Sequence, residues 1–272
     1  MTKDNEIQVS FLILTWNSAK FIEKCFASLE DGAAGLPYEV IVVDNGSSDN
    51  TVELINSTCP RAIIIRNLRN EGTTVARNQG ISRARGNFIV VLDSDTYLMP
   101  ETVSKVVSYM LNENRIAICA PRLRYEDGSI QENARRFPTV ITKLLRRIDT
   151  KWAENKLYKE EYYDLKNVQS PIKVDYAITA CHIIRKDALS QIGGFDEKIF
   201  YAPEDIDLCL RMWLAGWEVV YYPYAEAVHY EQRITKKKFF SWMTLEHIKG
   251  LVYFFIKHGY FLNTQKLYRR IK

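Results

Sequence analysis

The stretch GNFIVVLDSDTYLMP, residues 86–100, decides the reading of this chain. Phe88 to Leu92 is an apolar, β-branched run with the length of a buried strand. Asp93 and Asp95 then sit at its tip, and Pro100 opens the next element. Two carboxylates crowded where a hydrophobic strand emerges repel each other and resist desolvation. They are tolerable there if they are solvated or if a cation sits between them. The plainest alternative is a solvated turn in which an Asp caps the helix starting near Pro100.

Outward from this stretch, apolar strands alternate with amphipathic helices over the first 120 residues. Strand-like runs fall at 7–14, 38–44, 61–66, 87–93 and 116–120, with helical stretches at 18–29, 48–57, 73–83 and 100–112. Asn17 or Ser18, and Ser47 or Ser48, are expected N-caps. The strands are near-continuous apolar runs, as in strands covered on both faces. The expected class is α/β, a mostly parallel central sheet flanked by helices. Ligands of such sheets bind beyond the carboxyl ends of the strands. There the sequence offers Thr15 and Asn17, then Asp44, Asn45 and Ser47, then Asp93 and Asp95. The acids on this rim suit a hard divalent cation, Mg2+ or Mn2+, shared with a substrate phosphate. No GxGxxG or GxxxxGK[ST] phosphate loop is present. Arg77 is either a phosphate clamp, with Asn78, or a surface helix charge.

Residues 121–172 carry a hairpin-like turn at Asp127–Gly128 and a charged, Tyr-rich passage expected to hold loops and a helix. Order returns with a strand at 173–185, a helix at 186–192, a turn GGFDE, a helix at 204–216 and a strand at 217–223. Ile206, Leu210, Trp213 and Leu214 recur at helical spacing and read as core. Glu204, Asp205 and Asp207 crowd the first turn of that helix. Complementing the helix dipole and an Asp207–Arg211 pair account for two of them. A third points to a general base.

Composition sets outer bounds. With 272 residues, 47% hydrophobic, the chain can bury a sizeable core. The five cysteines are scattered and form no CxxC pair, which argues against a zinc site or disulfide framework and fits a reducing compartment. No signal-peptide pattern opens the sequence and no run of about 18 apolar residues occurs, so a cytoplasmic location is expected. Residues 232–272 hold ten Lys/Arg against one acid, Glu246, while the 231 residues before them hold 27 basic against 32 acidic.

The stretches SFLILTWNSAKFIEKCFASL, EVIVVDNGSSDNT, NEGTTVARNQGISRARGNFIVVLDSD and GGFDEKIFYAPEDIDLCLRMWLAGW together resemble the family 2 inverting glycosyltransferases of GT-A fold. The likeness runs from about residue 8 to 230, and RRFPT, KVDYAITACHIIRKDAL and EHIKGLVYFFIKHG resemble the bacterial rhamnosyltransferase type. The resemblance implies a Rossmann-like nucleotide-sugar half over about 1–120 and an acceptor half over 121–230. It implies a nucleoside-diphosphate sugar donor, UDP- or dTDP-linked, and a metal. Thr15, Asn17, Asp44, Ser47, Arg77, Asp93 and Ser94 match its nucleotide-sugar positions, with Asp44 reading the base. Asp93 and Asp95 match its DxD metal motif, and His229 falls near the metal or diphosphate. Asp205 matches the catalytic base, with Glu204 beside it. Thr179, Ala180 and Pro203 depart from the usual pattern around the acceptor.

The tail at 231–272, basic and aromatic, is expected to form a helical extension whose aromatics pack on the domain while its basic residues lie peripheral to an anionic inner membrane face, with plain packing or a homodimer contact as the alternatives. A glycan or lipid-linked saccharide is then the expected acceptor, in cell-surface polysaccharide assembly. Nucleic acid is not an expected partner. Two other readings are a sugar nucleotidyltransferase, for which LTWNSAKF lacks the glycine-rich basic loop, and a non-catalytic sugar-nucleotide binder, against which the joint presence of Asp93, Asp95 and Asp205 argues.

Overall fold

The computed structural model describes residues 6–145, 150–231 and 242–271. The basic run Lys236–Lys238 and the rest of 232–241, part of the charged passage at 146–149, and the first five residues lie outside the described residues. Strands β1 (Val9–Thr15), β2 (Tyr38–Asp44), β3 (Ile63–Arg66) and β4 (Phe88–Asp93) fall on the expected apolar runs. β5 (Thr96–Leu98), β6 (Ile116–Arg124), β7 (Ala134–Arg135), β8 (Ile172–Lys173), β9 (Tyr176–Ala177), β10 (Cys181–Arg185) and β11 (Glu218–His229) follow. The helices are α1 (Ile22–Ala27), α2 (Leu29–Ala33), α3 (Thr51–Thr58), α4 (Thr73–Ile81), α5 (Thr102–Asn112), α6 (Val140–Leu145), α7 (Lys151–Glu161), α8 (Lys186–Ile192), α9 (Glu204–Leu214), α10 (Trp242–His258) and α11 (Gln265–Ile271).

The main sheet has the order β3-β2-β1-β4-β10-β6-β11-β5, with β8 beside β11. β3, β2, β1 and β4 are mutually parallel, as α-helical crossovers require. The other half departs from the mostly parallel expectation. α5 carries the chain from the β4 side to β6 one slot away, and β10 fills that slot antiparallel to both neighbours. β6 and β11 are parallel, while β5 and β8 run antiparallel to β11. An apolar run reports burial on both faces, but not strand direction.

Both faces of the sheet are covered. Phe11 and Ile13 of β1 join a core under α1, α2 and α5, while Leu12 joins a second core under α4, α8 and α9. Phe254 and Phe255 of α10, Tyr260 of the connection after it and Leu267 of α11 belong to that second core. Ile206 and Leu210 are buried as expected, and Trp213 and Leu214 pack against the same core.

Four local expectations are corrected. The helix read over 18–29 starts at Ile22 and breaks at Ser28, whose hydroxyl bonds Cys25 O and accepts from Leu98 N–H. The expected N-caps do not cap: Phe21 and Asn50 occupy those positions without side-chain bonds, because Asn17, Ser18, Ser47 and Ser48 bond across between loops. The strand read over 173–185 divides into β8, β9 and β10, since β9 leaves the main sheet to pair with β7. The Asp127–Gly128 hairpin turn forms as expected, with Gly128 at φ 82° and Arg124 bridged to Ile130. β11 is longer than expected. Its register shifts between Tyr222 and Glu226, around Pro223, and it continues to His229.

Candidate active site

β1, β2 and β4 end together because Thr15 pairs with Asp44 and Leu14 with Asp93. The loops leaving them are laced by hydrogen bonds. Asn17 N–H donates to Ser47 Oγ at 2.9 Å, and Ser48 N–H donates to Asn17 Oδ1 at 2.8 Å. The hydroxyls of Ser18 and Ser94 lie 2.8 Å apart. Asp44 is buried, accepting from Thr15 Oγ1 at 3.0 Å, from Ser47 N–H at 3.1 Å and from the Ser47 hydroxyl. Thr15, Asn17, Asp44, Ser47 and Ser94 therefore form one bonded rim. Asn17 has φ 53°, a left-handed conformation that Asn tolerates better than most residues.

The remaining sequence candidates converge beside this rim. Arg77, Asp93, Glu204, Asp205 and His229 line one cavity of about 210 Å3, with Thr179 and Tyr201. Arg77, from α4, is not a surface charge: its side chain is 3% exposed. Its Nη2 donates to Asp93 Oδ1 at 3.0 Å and its Nη1 to Glu204 Oε1 at 2.9 Å. The guanidinium also stands 5.3 Å from the Phe195 ring centre. One buried cation thus spans the tip of β4 and the start of α9. Arg77 Nε and Thr179 Oγ1 have no hydrogen-bond partner among the described residues.

The three acids of α9 separate by direction. Asp207 points away from the cavity, into a buried cluster with Arg211 Nε at 2.7 Å, Lys257 Nζ at 2.6 Å and His258 Nε2 at 2.7 Å. Burial alone would raise its pKa, but the His258 hydrogen bond and the Arg211 and Lys257 charges overcome this and hold it well below the carboxylate range. Glu204 and Asp205 face the cavity. Burial, then the Asp205 charge, pushes Glu204 up to about 7. Burial raises Asp205 too, against the charges of Lys143, Arg135 and Arg77. Two adjacent carboxylates with raised affinity for protons are what a proton-accepting site requires.

Asp93, Asp95 and His229 each offer a ligand atom, all within 4.8 Å of one another. His229 Nε2 lies 3.5 Å from Asp95 Oδ1, and its Nδ1 lies 3.0 Å from Gln131 Oε1. A ring nitrogen held by an outer partner leaves the other directed at the carboxylates, the usual arrangement around a metal-ligating histidine. The two carboxylates suit Mn2+ or Mg2+ by donor type, and the spacing of all three groups lets one ion reach them, the imidazole nitrogen being better matched to Mn2+. The sequence did not single out Gln131, Lys143, Arg135 or Tyr201 as site residues: Gln131 and Lys143 reach the site from distant segments with no motif around them, while Arg135 in RRFPT and Tyr201 in GGFDEKIFYAPED sit inside quoted stretches but carry no acid or metal-ligand signal.

The profile of the Glycosyl transferase family 2 matches residues 10–193. The chain belongs to that family. It is a transferase enzyme, and its sheet and helices have the GT-A fold. The N-acetylglucosaminyl-diphospho-decaprenol L-rhamnosyltransferase of Mycobacterium tuberculosis is 25% identical over 257 residues, covering 90% of this chain and 83% of that one. Among solved structures, GalNAc-T7 with UDP, GalNAc and Mn2+ gives a TM-score of 0.61 at 16% identity, covering 84% of this chain and 44% of that one. The Pyrobaculum calidifontis mannosyltransferase PcManGT, with GDP-Man and Mn2+, gives 0.60 at 18% identity, covering 85% of this chain and 59% of that one. The chain thus spans roughly half the length of these solved relatives, and the last two likenesses speak to fold alone. No helix among the described residues is long and apolar enough to cross a membrane.

Proposed function

We propose that this glycosyltransferase moves a sugar, with inversion, from a UDP- or dTDP-linked donor to a hydroxyl of a lipid-linked saccharide in cell-surface glycan assembly. The observation that carries this reading is one cavity lined by both the Asp93 and His229 end of the metal-type cluster and the raised-pKa pair Glu204–Asp205. The mycobacterial relative, named for a diphospho-decaprenol acceptor, supports the acceptor class.

In this reading the rim from Thr15 to Ser47, with Ser94, holds the nucleoside, and Asp44 keeps the rim in register for the base. Asp93, Asp95 and His229 would hold Mg2+ or Mn2+, which when bound would neutralise charge on the diphosphate. Arg77 fixes Asp93 and Glu204 relative to each other. Asp205 accepts the proton of the acceptor hydroxyl as that oxygen bonds to the anomeric carbon and the bond to the diphosphate oxygen breaks. Attack from the face opposite the leaving group inverts the centre. Exposed apolar side chains on α10 favour peripheral contact with the inner membrane face, where such an acceptor resides.

The test is calorimetric titration with UDP, dTDP and GDP, each with and without Mn2+. Metal-dependent binding of one nucleotide, lost in Asp95→Ala, is the expected result and names the donor base. Binding by none of them sinks the reading.

A further inference from the structure

A second concavity lies beside the first and has a different chemistry. α6 and α10 face each other across a groove of about 370 Å3, lined by Val140, Leu144, Leu251, Val252, Ile256 and Phe261, with Lys143 as its cation among the described residues. That volume falls within the roughly 300–1,000 Å3 of small-ligand sites. Its walls are joined by a backbone bond, Val140 N–H to Phe261 O at 2.8 Å, so the groove is a built feature rather than a gap between loose helices. Leu144, Val252 and Ile256 are 60%, 53% and 65% exposed, a contiguous apolar surface that solvation alone does not explain.

Lys143 joins this groove to the reaction site. It lines the groove, and it is also the cation acting most strongly on Asp205, ahead of Arg135 and Arg77. One side chain therefore lines an apolar channel and acts through its charge on the proposed base. An occupant matching that order has a hydrocarbon chain, then an anionic head, then a hydroxyl-bearing group at Asp205. A flat bilayer would need neither the concavity nor a cation beside a base. A second copy of this chain would need a complementary ridge.

We propose that the α6–α10 groove receives the hydrocarbon chain of an isoprenoid-diphosphate-linked acceptor, with Lys143 meeting the diphosphate and presenting the attached sugar to Asp205. This rests on the glycosyltransferase reading above and adds to it the acceptor subsite. The acceptor then runs between α6 and α10 toward the cavity.

The test titrates the full chain with farnesyl diphosphate below its micelle concentration, and in parallel with farnesol, inorganic pyrophosphate and liposomes containing anionic lipid. The expected result is saturable binding of farnesyl diphosphate that exceeds that of farnesol and of pyrophosphate. Binding should weaken about ten-fold or more in Lys143→Ala, since a charge-assisted contact is lost, and also in Val252→Asp, an exposed position where a new charge leaves folding intact. Nucleotide titration of the same variants should be unchanged. Equal binding by wild type and both variants overturns the proposal, as does no binding of farnesyl diphosphate. Liposome binding lost in Val252→Asp without diphosphate preference would make the groove a bilayer face, and a monomer–dimer shift in sedimentation would make it a self-interface. Either overturns the subsite. If nucleotide binding fails while farnesyl diphosphate still binds, the donor reading falls and the groove stands.

Discussion

The chemistry of the site turns on three side chains whose separation in sequence hides their contact. Asp93 and Glu204 announce themselves as acids at a strand tip and a helix start, and Arg77 does not, because a lone Arg on a polar helix reads the same whether buried or solvated. The fold decides it: Arg77 is the cation between Asp93 and Glu204. Arg77→Met should destabilise the protein by about 3–5 kcal/mol, the cost of leaving Glu204 buried without its partner. Arg77→Lys should recover part of this, having the charge without the two-pronged geometry. Denaturant midpoints of the three proteins check the order. The coupled acids also fix a pH dependence. Glu204 is raised to about 7 and Asp205 is raised with it, so the pair gives up its proton only as pH rises through neutrality. Transfer rate should therefore climb with pH across that range. Glu204→Gln removes one negative charge and leaves the Arg77 charge less neutralised, so the limb should move to lower pH. An Asp205→Asn variant should lose about 100-fold or more of its rate, the usual share of a general base, while still binding nucleotide. A pH–rate profile with an unshifted limb in Glu204→Gln would assign the ionisation elsewhere.

At the scale of elements, apolar runs located β1, β2, β4 and the start of β6, since burial on both faces leaves a continuous signal. Caps and direction were not legible. Asn17, Ser18, Ser47 and Ser48 have cap-forming side chains, but the loops they belong to lie side by side, and bonds between loops won over bonds along the helix. β9 and β10 follow one apolar stretch, and only the vacant slot between β4 and β6 makes β10 antiparallel. α10 gives the sharpest test of element packing. A Cβ added at Gly250 would lie 2.2 Å from the carbonyl oxygen of Ala202, two residues before Glu204. Backbone cannot yield as a side-chain end does, so Gly250→Ala should cost about 1–3 kcal/mol through overpacking. It should also disturb the start of α9. The predicted signature is a lowered melting temperature together with reduced turnover, with metal-dependent nucleotide binding kept because the rim lies on other elements. α9 and α10 are further joined through Asp207, whose folded pKa is depressed. Such a group stabilises the fold above its unfolded pKa of about 3.9, and that contribution is lost as pH falls toward the depressed value. The gap in melting temperature between wild type and Asp207→Asn should thus be largest near neutrality and close below about pH 4.

For the molecule as a whole, a basic and aromatic C-terminal segment reads as an extension, because composition changes there while nothing local records what the segment packs on. Its partners lie far back in the chain. Phe254, Phe255, Tyr260 and Leu267 sit in the core shared with α4, α8 and α9. Lys257 and His258 hold Asp207, and the Tyr268 hydroxyl bonds Asp175. Removing residues after 231 would expose the apolar bed of four large side chains, each worth roughly 1.5–3 kcal/mol when buried. It would also leave Asp207 with Arg211 alone, at a further cost of about 3–5 kcal/mol for a broken buried pair. Those losses rival the roughly 5–15 kcal/mol that holds a whole domain folded. A chain ending at 231 should therefore fail to fold cooperatively, and the intact chain should unfold in a single transition. Trp213 on α9 and Trp242 on α10 report the two sides of that boundary. In the intact protein, single-tryptophan variants keeping one or the other should melt at the same temperature. A lower melting point for the Trp242 signal, with a folded and nucleotide-binding 1–231 chain, would make α10 and α11 a separable module and place their contacts with α9 among the weak ones.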